Sequence, residues 1–422
     1  MESVNKVKFV FVSNYLNHHQ IPFCRAMYER TGHSFVFIQT EPMEEERIRM
    51  GWNDEVREPY LKLFYEAGEE CMELIRNADV MLFGGTDDET YAQERLKTGK
   101  VLFRYSERLY KTGQWKAISP RGLRKKYLDH GRWRKSLVYL LCSGAYVASD
   151  FQIIRAYPEK KYCWGYFPEF REEDVKSLMA EKGFNAEDGS RIPYLLWSGR
   201  MIDWKHPELV LQVAGYLKEK GMRFHLEMIG GGAMEAEIKG KIQEMGLKEY
   251  VSLPGFLKPE EVRERMEKAD VYLITSDRQE GWGAVANEAM NSGCAVLADH
   301  VIGAAPYLIR QNENGLMFRD GDASMLCEMT EALIRDPERR ARLGKSAYET
   351  IRDVWNADVA AEKLCGLVEE LTGIALEEGE IRQQRLDKAA SGKEEKGFAP
   401  CRPAPVISER GAFQRLTGNG KS

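Results

Sequence analysis

Two stretches of alternating strand-like and helix-like segments predict an α/β protein with two doubly wound parallel sheets. The first alternation runs from Lys8 to about Phe167, and the second restarts at Tyr194. Between them lies a polar run with Gly183 and Gly189, which reads as a linker over residues 169–192. The 422 residues suffice for a separate core in each domain.

The first domain is expected over residues 1–168. Lys8-Phe9-Val10-Phe11-Val12 is a β-favouring apolar run, and Pro22 opens the helix that carries Phe23, Ala26 and Met27. Further strands are read at residues 34–38, 80–83, 101–105, 145–148 and 162–168. His18 and His19 follow the first strand, where a histidine can bond a ligand or act as a base. A plain polar loop is the simpler alternative. Glu107 follows the strand at Val101 and is a candidate to touch a reacting hydroxyl; an ion pair with Arg104 or Arg108 is the competing reading. From Lys100 to Lys135 cations far outnumber acids, and Trp115, Tyr127 and Trp133 are interleaved. Residues 121–135 therefore suit an anionic membrane surface or an anionic substrate, against the plainer reading of a solvated helix.

The net charge of −5 argues against general nucleic-acid binding. Eight cysteines without C-x-x-C spacing suggest neither a disulfide framework nor a zinc site, as in the reducing cytosol. Met1–Lys6 lacks a signal-peptide pattern, and the apolar run Leu137–Leu141 is far shorter than a bilayer span. The expected location is cytoplasmic, with peripheral contact at the inner face of the cell membrane.

The second domain is expected over residues 193–350. Its first strand ends in Ser198-Gly199-Arg200, and Pro207 opens the next helix. Arg200 and Lys205 flank that loop, and two cations beside a helix N-terminus stabilise a diphosphate. Gly230-Gly231-Gly232 ends the next strand as a weak phosphate-cradle signal, without P-loop or dinucleotide spacing. The turn at Gly255 and Phe256 offers backbone to a flat base. The strand at residues 270–276 delivers Glu280 to its carboxyl edge; Gly281 and Gly283 bend the chain around Trp282, and Glu288 lies on the helix that follows. Two such carboxylates can grip two hydroxyl-bearing parts of one ligand, or stand as ordinary surface glutamates.

The ordered series is Ser198-Gly199-Arg200, Lys205-His206-Pro207, Gly230-Gly231-Gly232, Leu253-Pro254-Gly255-Phe256, Glu280 and Glu288 with seven residues between them, Ser292–Val296 and Asn314–Phe318. From about Pro193 to Trp355 it resembles the donor domain of retaining family 4 glycosyltransferases with the GT-B fold. The resemblance implies two Rossmann-like domains facing each other across a cleft. It implies that Arg200 and Lys205 hold the donor diphosphate. Glu280, with the backbone at Gly281, Trp282 and Gly283, would hold the sugar, and Glu288 the ribose. Gly230 and Gly231 would line the donor site, and Gly255 and Phe256 would meet the base. The donor would be a UDP- or GDP-sugar, with no cofactor and no metal. The acceptor, a lipid-linked or saccharide intermediate of surface polysaccharide, would enter the first domain, where His18, His19 and Glu107 are the candidates. The chain departs from the family at Asn14–His19, where a glycine-rich loop is common, and at Tyr105-Ser106-Glu107, where a histidine is common. A non-catalytic nucleotide-sugar-binding scaffold and a nucleotide-sugar epimerase of GT-B fold are the alternatives. A helix over residues 351–372 would return to the first domain, and the polar residues 373–422 are expected to be a disordered tail.

Overall fold

A computed structural model describes residues 8–45, 57–113, 117–182 and 191–390. The chain divides into two compact units. The first combines the described residues up to Glu169 with those from Val354 onward; the second runs from Phe170 to Asp353.

The first unit holds β1 (Phe9–Ser13), β2 (Phe35–Gln39), β3 (Leu61–Leu63), β4 (Val80–Phe83), β5 (Val101–Ser106), β6 (Val138–Ser143) and β7 (Lys161–Trp164). All neighbours pair parallel, in the order β3-β2-β1-β4-β5-β6-β7. The central strands β1 and β4 are almost wholly apolar and buried, as in a parallel sheet covered by helices on both faces. Val10, Val12, Met81, Phe83, Leu102 and Leu140 share one core with Val147 and Phe151 of the Val147–Ile153 helix. The Ala357–Thr372 helix closes this unit by packing on the Ile21–Arg30 helix.

The second unit holds β8 (Tyr194–Ser198), β9 (His225–Ile229), β10 (Val251–Gly255), β11 (Val271–Ile274), β12 (Ala295–Asp299) and β13 (Leu316–Phe318). Their order is β10-β9-β8-β11-β12-β13, again all parallel. Counted within the unit this is the doubly wound order whose direction reverses between its first and fourth strands, β8 and β11. Ligands of open α/β sheets bind outside the carboxyl ends of the strands at that reversal. The loops carrying Arg200, Lys205 and Glu280 leave from those two strands.

Three local expectations give way. Residues 145–148 are not a strand: they form a turn and the start of the Val147–Ile153 helix. The strand is β6, whose apolar residues are fully buried between β5 and β7. The expected linker contains the Val175–Glu181 helix, started by Asp174, whose carboxylate accepts from the Lys176 and Ser177 amides at 3.4 and 3.1 Å. Lys182 beyond it is buried and donates to the Met266 carbonyl at 3.0 Å, so residues 170–182 belong to the second unit. The expected disordered tail contains the Gly379–Ala390 helix. Its buried Arg385 pairs with Glu369 and with Glu377 at 2.6 Å, and Arg30 bonds Glu377 and Glu362 at 2.6 Å each. Met1–Lys6, Trp115, residues 183–190 and residues 391–422 lie outside the described residues.

Candidate functional site

The strongest convergence lies at the carboxyl edge of the second sheet. After β8 the chain makes a 3-10 turn over Asp203–Lys205, passes through His206 in the left-handed region, and enters the Pro207–Glu219 helix. Arg200 and Lys205 both lie over the Trp204 ring, 5.6 and 4.8 Å from its centroid. An aromatic face attracts cations, so one ring gathers both. The Lys205 ammonium also pairs with the Glu280 carboxylate, and each side chain is only 14% exposed. Arg200, Lys205 and Glu280, far apart along the chain, thus form one group.

Backbone contacts lock this group. The Thr275 hydroxyl donates to the Lys205 carbonyl at 2.8 Å and accepts from Trp197 Nε1 at 3.1 Å. The Asp277 amide donates to the Trp204 carbonyl at 2.9 Å, and the Glu280 amide donates to the Asp277 carbonyl at 3.0 Å. On the other side, the Met201 amide reaches the Gly231 carbonyl at 2.8 Å and the Gly230 amide reaches the Gly255 carbonyl at 2.8 Å.

Gly230 has φ +121°, and a Cβ there would stand 2.0 Å from the Gly199 carbonyl oxygen. Close approach of two backbones therefore explains this glycine without any phosphate. Gly231 lies against Phe256, whose ring is 68% exposed beside the Gly255 turn. Gly283 has φ +88° and faces Ile302, which leaves room only for a glycine in the bend after Glu280.

Trp282 is buried and donates from Nε1 to Asn287 Oδ1 at 2.8 Å, so its indole anchors the bend and only its backbone is left for a ligand. Glu288 lies on the Val285–Asn291 helix. Burial raises its carboxyl above the usual range, against the pull of Arg263 and Arg171. Gly281 is buried within the same turn.

The acceptor-side candidates separate. His18 and His19 touch each other in the loop after β1, with ring centroids 3.9 Å apart. Glu107 follows β5, bonds the Lys111 ammonium and accepts from the Tyr166 hydroxyl at 2.7 Å. It lines a cavity of about 430 Å³ with Gly84, Gly85, Arg104, Arg108 and Lys126, and neither histidine lines it. Glu107 pairs with neither alternative partner: Arg104 pairs with Glu89, and Arg108 lies 3.5 Å from Asp150. On the same wall Glu89, Asp129 and His130 bring ligand-type atoms within 4.8 Å of one another. Arg104 already occupies Glu89, and Lys126 stands beside Asp129, so the local charge opposes a cation there.

The sequence does not single out Trp204, Thr275 or Asp277, and it gives His206 only as part of the Lys205-His206-Pro207 motif. Of these, Trp204 left a signal: an aromatic between two cations within six residues.

The two doubly wound units define the class, a GT-B fold. Residues 182–350, within the second unit, match the family model "Glycosyl transferases group 1". Among curated relatives, the amylovoran biosynthesis glycosyltransferase AmsK of Erwinia amylovora is 27% identical over 182 residues, covering 42% of this chain and 44% of that protein. The D-inositol 3-phosphate glycosyltransferase of Corynebacterium efficiens is 27% identical over 181 residues, covering 41% of this chain and 42% of the relative. The matches therefore span less than half the length of these relatives. Among solved structures, Anabaena Alr3699/HepE in complex with UDP superposes with a TM-score of 0.63 at 13% identity, covering 86% of this chain and all of that one. Sucrose-phosphate synthase from Thermosynechococcus elongatus gives 0.59 at 16% identity, covering 86% and 99%. These two likenesses concern the fold. No helix among the described residues is long and apolar enough to cross a membrane.

Proposed function

We propose that the protein transfers a sugar from a nucleotide-diphosphate sugar to a hydroxyl acceptor with retention at the anomeric carbon. The observation that carries this is the Arg200–Trp204–Lys205–Glu280 group at the reversal point of the second sheet. As the sugar–oxygen bond breaks, the diphosphate gains negative charge, and fixed cations stabilise charge that develops in the transition state. Arg200 and Lys205 supply them and serve in place of a metal. The acceptor oxygen forms the new bond to the anomeric carbon, and its proton passes to the departing phosphate. Glu280 orients Lys205 and accepts from donor hydroxyls. Phe256 offers a face to the base, and Glu288 receives the ribose. The donor is a UDP- or GDP-sugar, and UDP is favoured because Anabaena HepE was solved with UDP.

The acceptor is a lipid-linked saccharide of surface-polysaccharide synthesis. AmsK is named for amylovoran biosynthesis, which supports a saccharide acceptor, and the Pro120–Asp129 helix supports the lipid part. No residue of that helix is buried; Leu123, Tyr127 and Leu128 are exposed among Arg121, Arg124 and Lys125. Exposed apolar groups ringed by cations fit an anionic membrane at the cytoplasmic face.

A thermal-shift screen with UDP-, GDP- and ADP-sugars tests the donor site, because a ligand of the folded state raises the midpoint. At least one UDP- or GDP-sugar is expected to stabilise the protein, and an Arg200→Ala variant should lose that response. No shift with any of them would overturn the reading. Flotation with anionic and neutral vesicles tests the helix: equal recovery from both would remove the membrane.

A further inference from the structure

Beside the charged group sits a histidine that the proposed chemistry does not use. His206 follows Lys205 directly and has φ 49° and ψ 52°, a conformation that non-glycine residues adopt only when their surroundings impose it. Its surroundings are two carboxylates from different elements. Nδ1 lies 2.8 Å from Glu208 Oε1 in the first turn of the Pro207–Glu219 helix. Nε2 lies 3.7 Å from Asp277 Oδ2 in the loop after β11.

Asp277 is the joint of the site. Its amide holds the carbonyl of Trp204, whose ring contacts both cations, and its carbonyl holds the amide of Glu280. Its carboxylate also receives the Gln279 amide at 2.7 Å. An imidazolium at position 206 bonds Glu208 through Nδ1 and sets its charge 3.7 Å from the Asp277 carboxylate, joining the helix start to this loop. A neutral imidazole has one N–H for Glu208 and loses the charge that draws in Asp277.

We propose that His206 is a positioning residue whose protonation holds the Asp277–Glu280 loop against the Arg200–Lys205 turn, so that donor binding weakens as pH rises. This rests on the donor-site reading above.

The charged groups around His206 favour the proton. Glu208 and Asp277 face it, and the hydrogen bond to Glu208 raises its pKa above the usual histidine value despite partial burial. Glu208 is correspondingly held below the carboxylate range, with Lys241 of the Glu235–Glu244 helix adding to the effect. The neighbouring Lys205 ammonium opposes the proton, but Glu280 pairs with it. A raised pKa means that the stabilising pair is complete at low pH and is lost as pH rises through the folded value.

The test uses the full chain and two probes, UDP-glucose and GDP-mannose. Their diphosphates do not titrate between pH 6 and 8, the range of about one unit either side of neutrality in which histidine switches. Affinity should fall about tenfold across that range, the change that accompanies a linked shift of one pKa unit. His206→Gln should bind weakly at every pH with a flat profile. His206→Asn, which suits the left-handed backbone, keeps the fold and should also be flat. A purely structural role would lower the melting midpoint but leave the wild-type slope in both variants.

A second arm does not need a donor. In the free protein, NMR should show the Asp277 and Glu280 amides moving with the titration of the His206 ring. If neither probe binds while these amides follow His206, the donor reading fails and the coupling stands. A pH-independent affinity, a slope retained in His206→Gln, or amides that ignore the ring would each overturn the inference.

Discussion

Replacing Lys205 by methionine keeps the stem and removes the ammonium, and its effects on stability and on chemistry can be separated. Lys205 and Glu280 each expose 14% of their side chains, so the variant leaves a nearly enclosed carboxylate without its cation. Breaking a buried pair costs about 3–5 kcal/mol, whereas an exposed pair contributes about 0–1. With this residual exposure, about 2–4 kcal/mol is expected, or roughly 5–15 °C in the melting midpoint at about 2–4 °C per kcal/mol for a domain of this size. The double variant Lys205→Met with Glu280→Gln removes both charges and should return to within about 1 kcal/mol of the parent. Donor turnover should not return: both variants should lose about 100- to 1,000-fold, as when one group that stabilises developing charge is removed. Scanning fluorimetry and release of free nucleotide read the two effects. A double variant as unstable as Lys205→Met would refute the buried pair, and parental turnover in either would refute the catalytic assignment.

Gly230→Ala should be severe, because its Cβ would meet the Gly199 carbonyl oxygen at 2.0 Å and φ is +121°. Strained backbone and overpacking each cost about 1–3 kcal/mol, and a midpoint within about 2 °C of the parent would contradict the close approach. Phe256→Ala should leave stability unchanged within about 0.5 kcal/mol, since the ring is 68% exposed, yet weaken UDP binding by about 1–2 kcal/mol through lost stacking. Titration calorimetry showing equal affinity would remove Phe256 from the site. Hydrogen bonds from Arg382 and then Arg385 hold the Glu369 carboxyl below its usual range. A lowered carboxylate pKa stabilises above the unfolded value, and that contribution vanishes as pH falls through the folded one. Hydrogen exchange on acidification should therefore open residues 379–390 before the rest of the first unit; simultaneous opening would argue against this ionic attachment.

The strands of the second unit were legible because each apolar run stops at a glycine, proline or charge where the backbone turns: Gly199 after β8, Gly230 after β9, Gly255 closing β10. That Arg200, Lys205 and Glu280 come together was legible only through the order of those stops. Trp204 stands between the two cations in the sequence, but nothing in that spacing marks the ring as the one they both lie over. The Gly379–Ala390 helix escaped for a related reason. Its buried anchor is Arg385, held by Glu369 and Glu377, and apolar patterning cannot register a charged core. At residues 138–148 two adjacent apolar segments competed. Pairing with β5 and β7 decides for the first of them, and a single sequence does not contain that pairing. Gly230 looks ligand-facing in the sequence although its neighbouring backbone already requires it.

The placement of Trp204 has a practical consequence. Indole emission responds to the electric field across the ring, and here that field is shaped by Arg200 and by Lys205 with its Glu280 partner on a partly exposed tryptophan. Neutralising those charges with an anion should shift the emitted wavelength, while the enclosed indole of Trp282 stays silent. The protein thus carries its own optical gauge of occupancy, readable without label or coupled assay, and replacing Trp204 by phenylalanine would switch the gauge off while leaving an aromatic face in place.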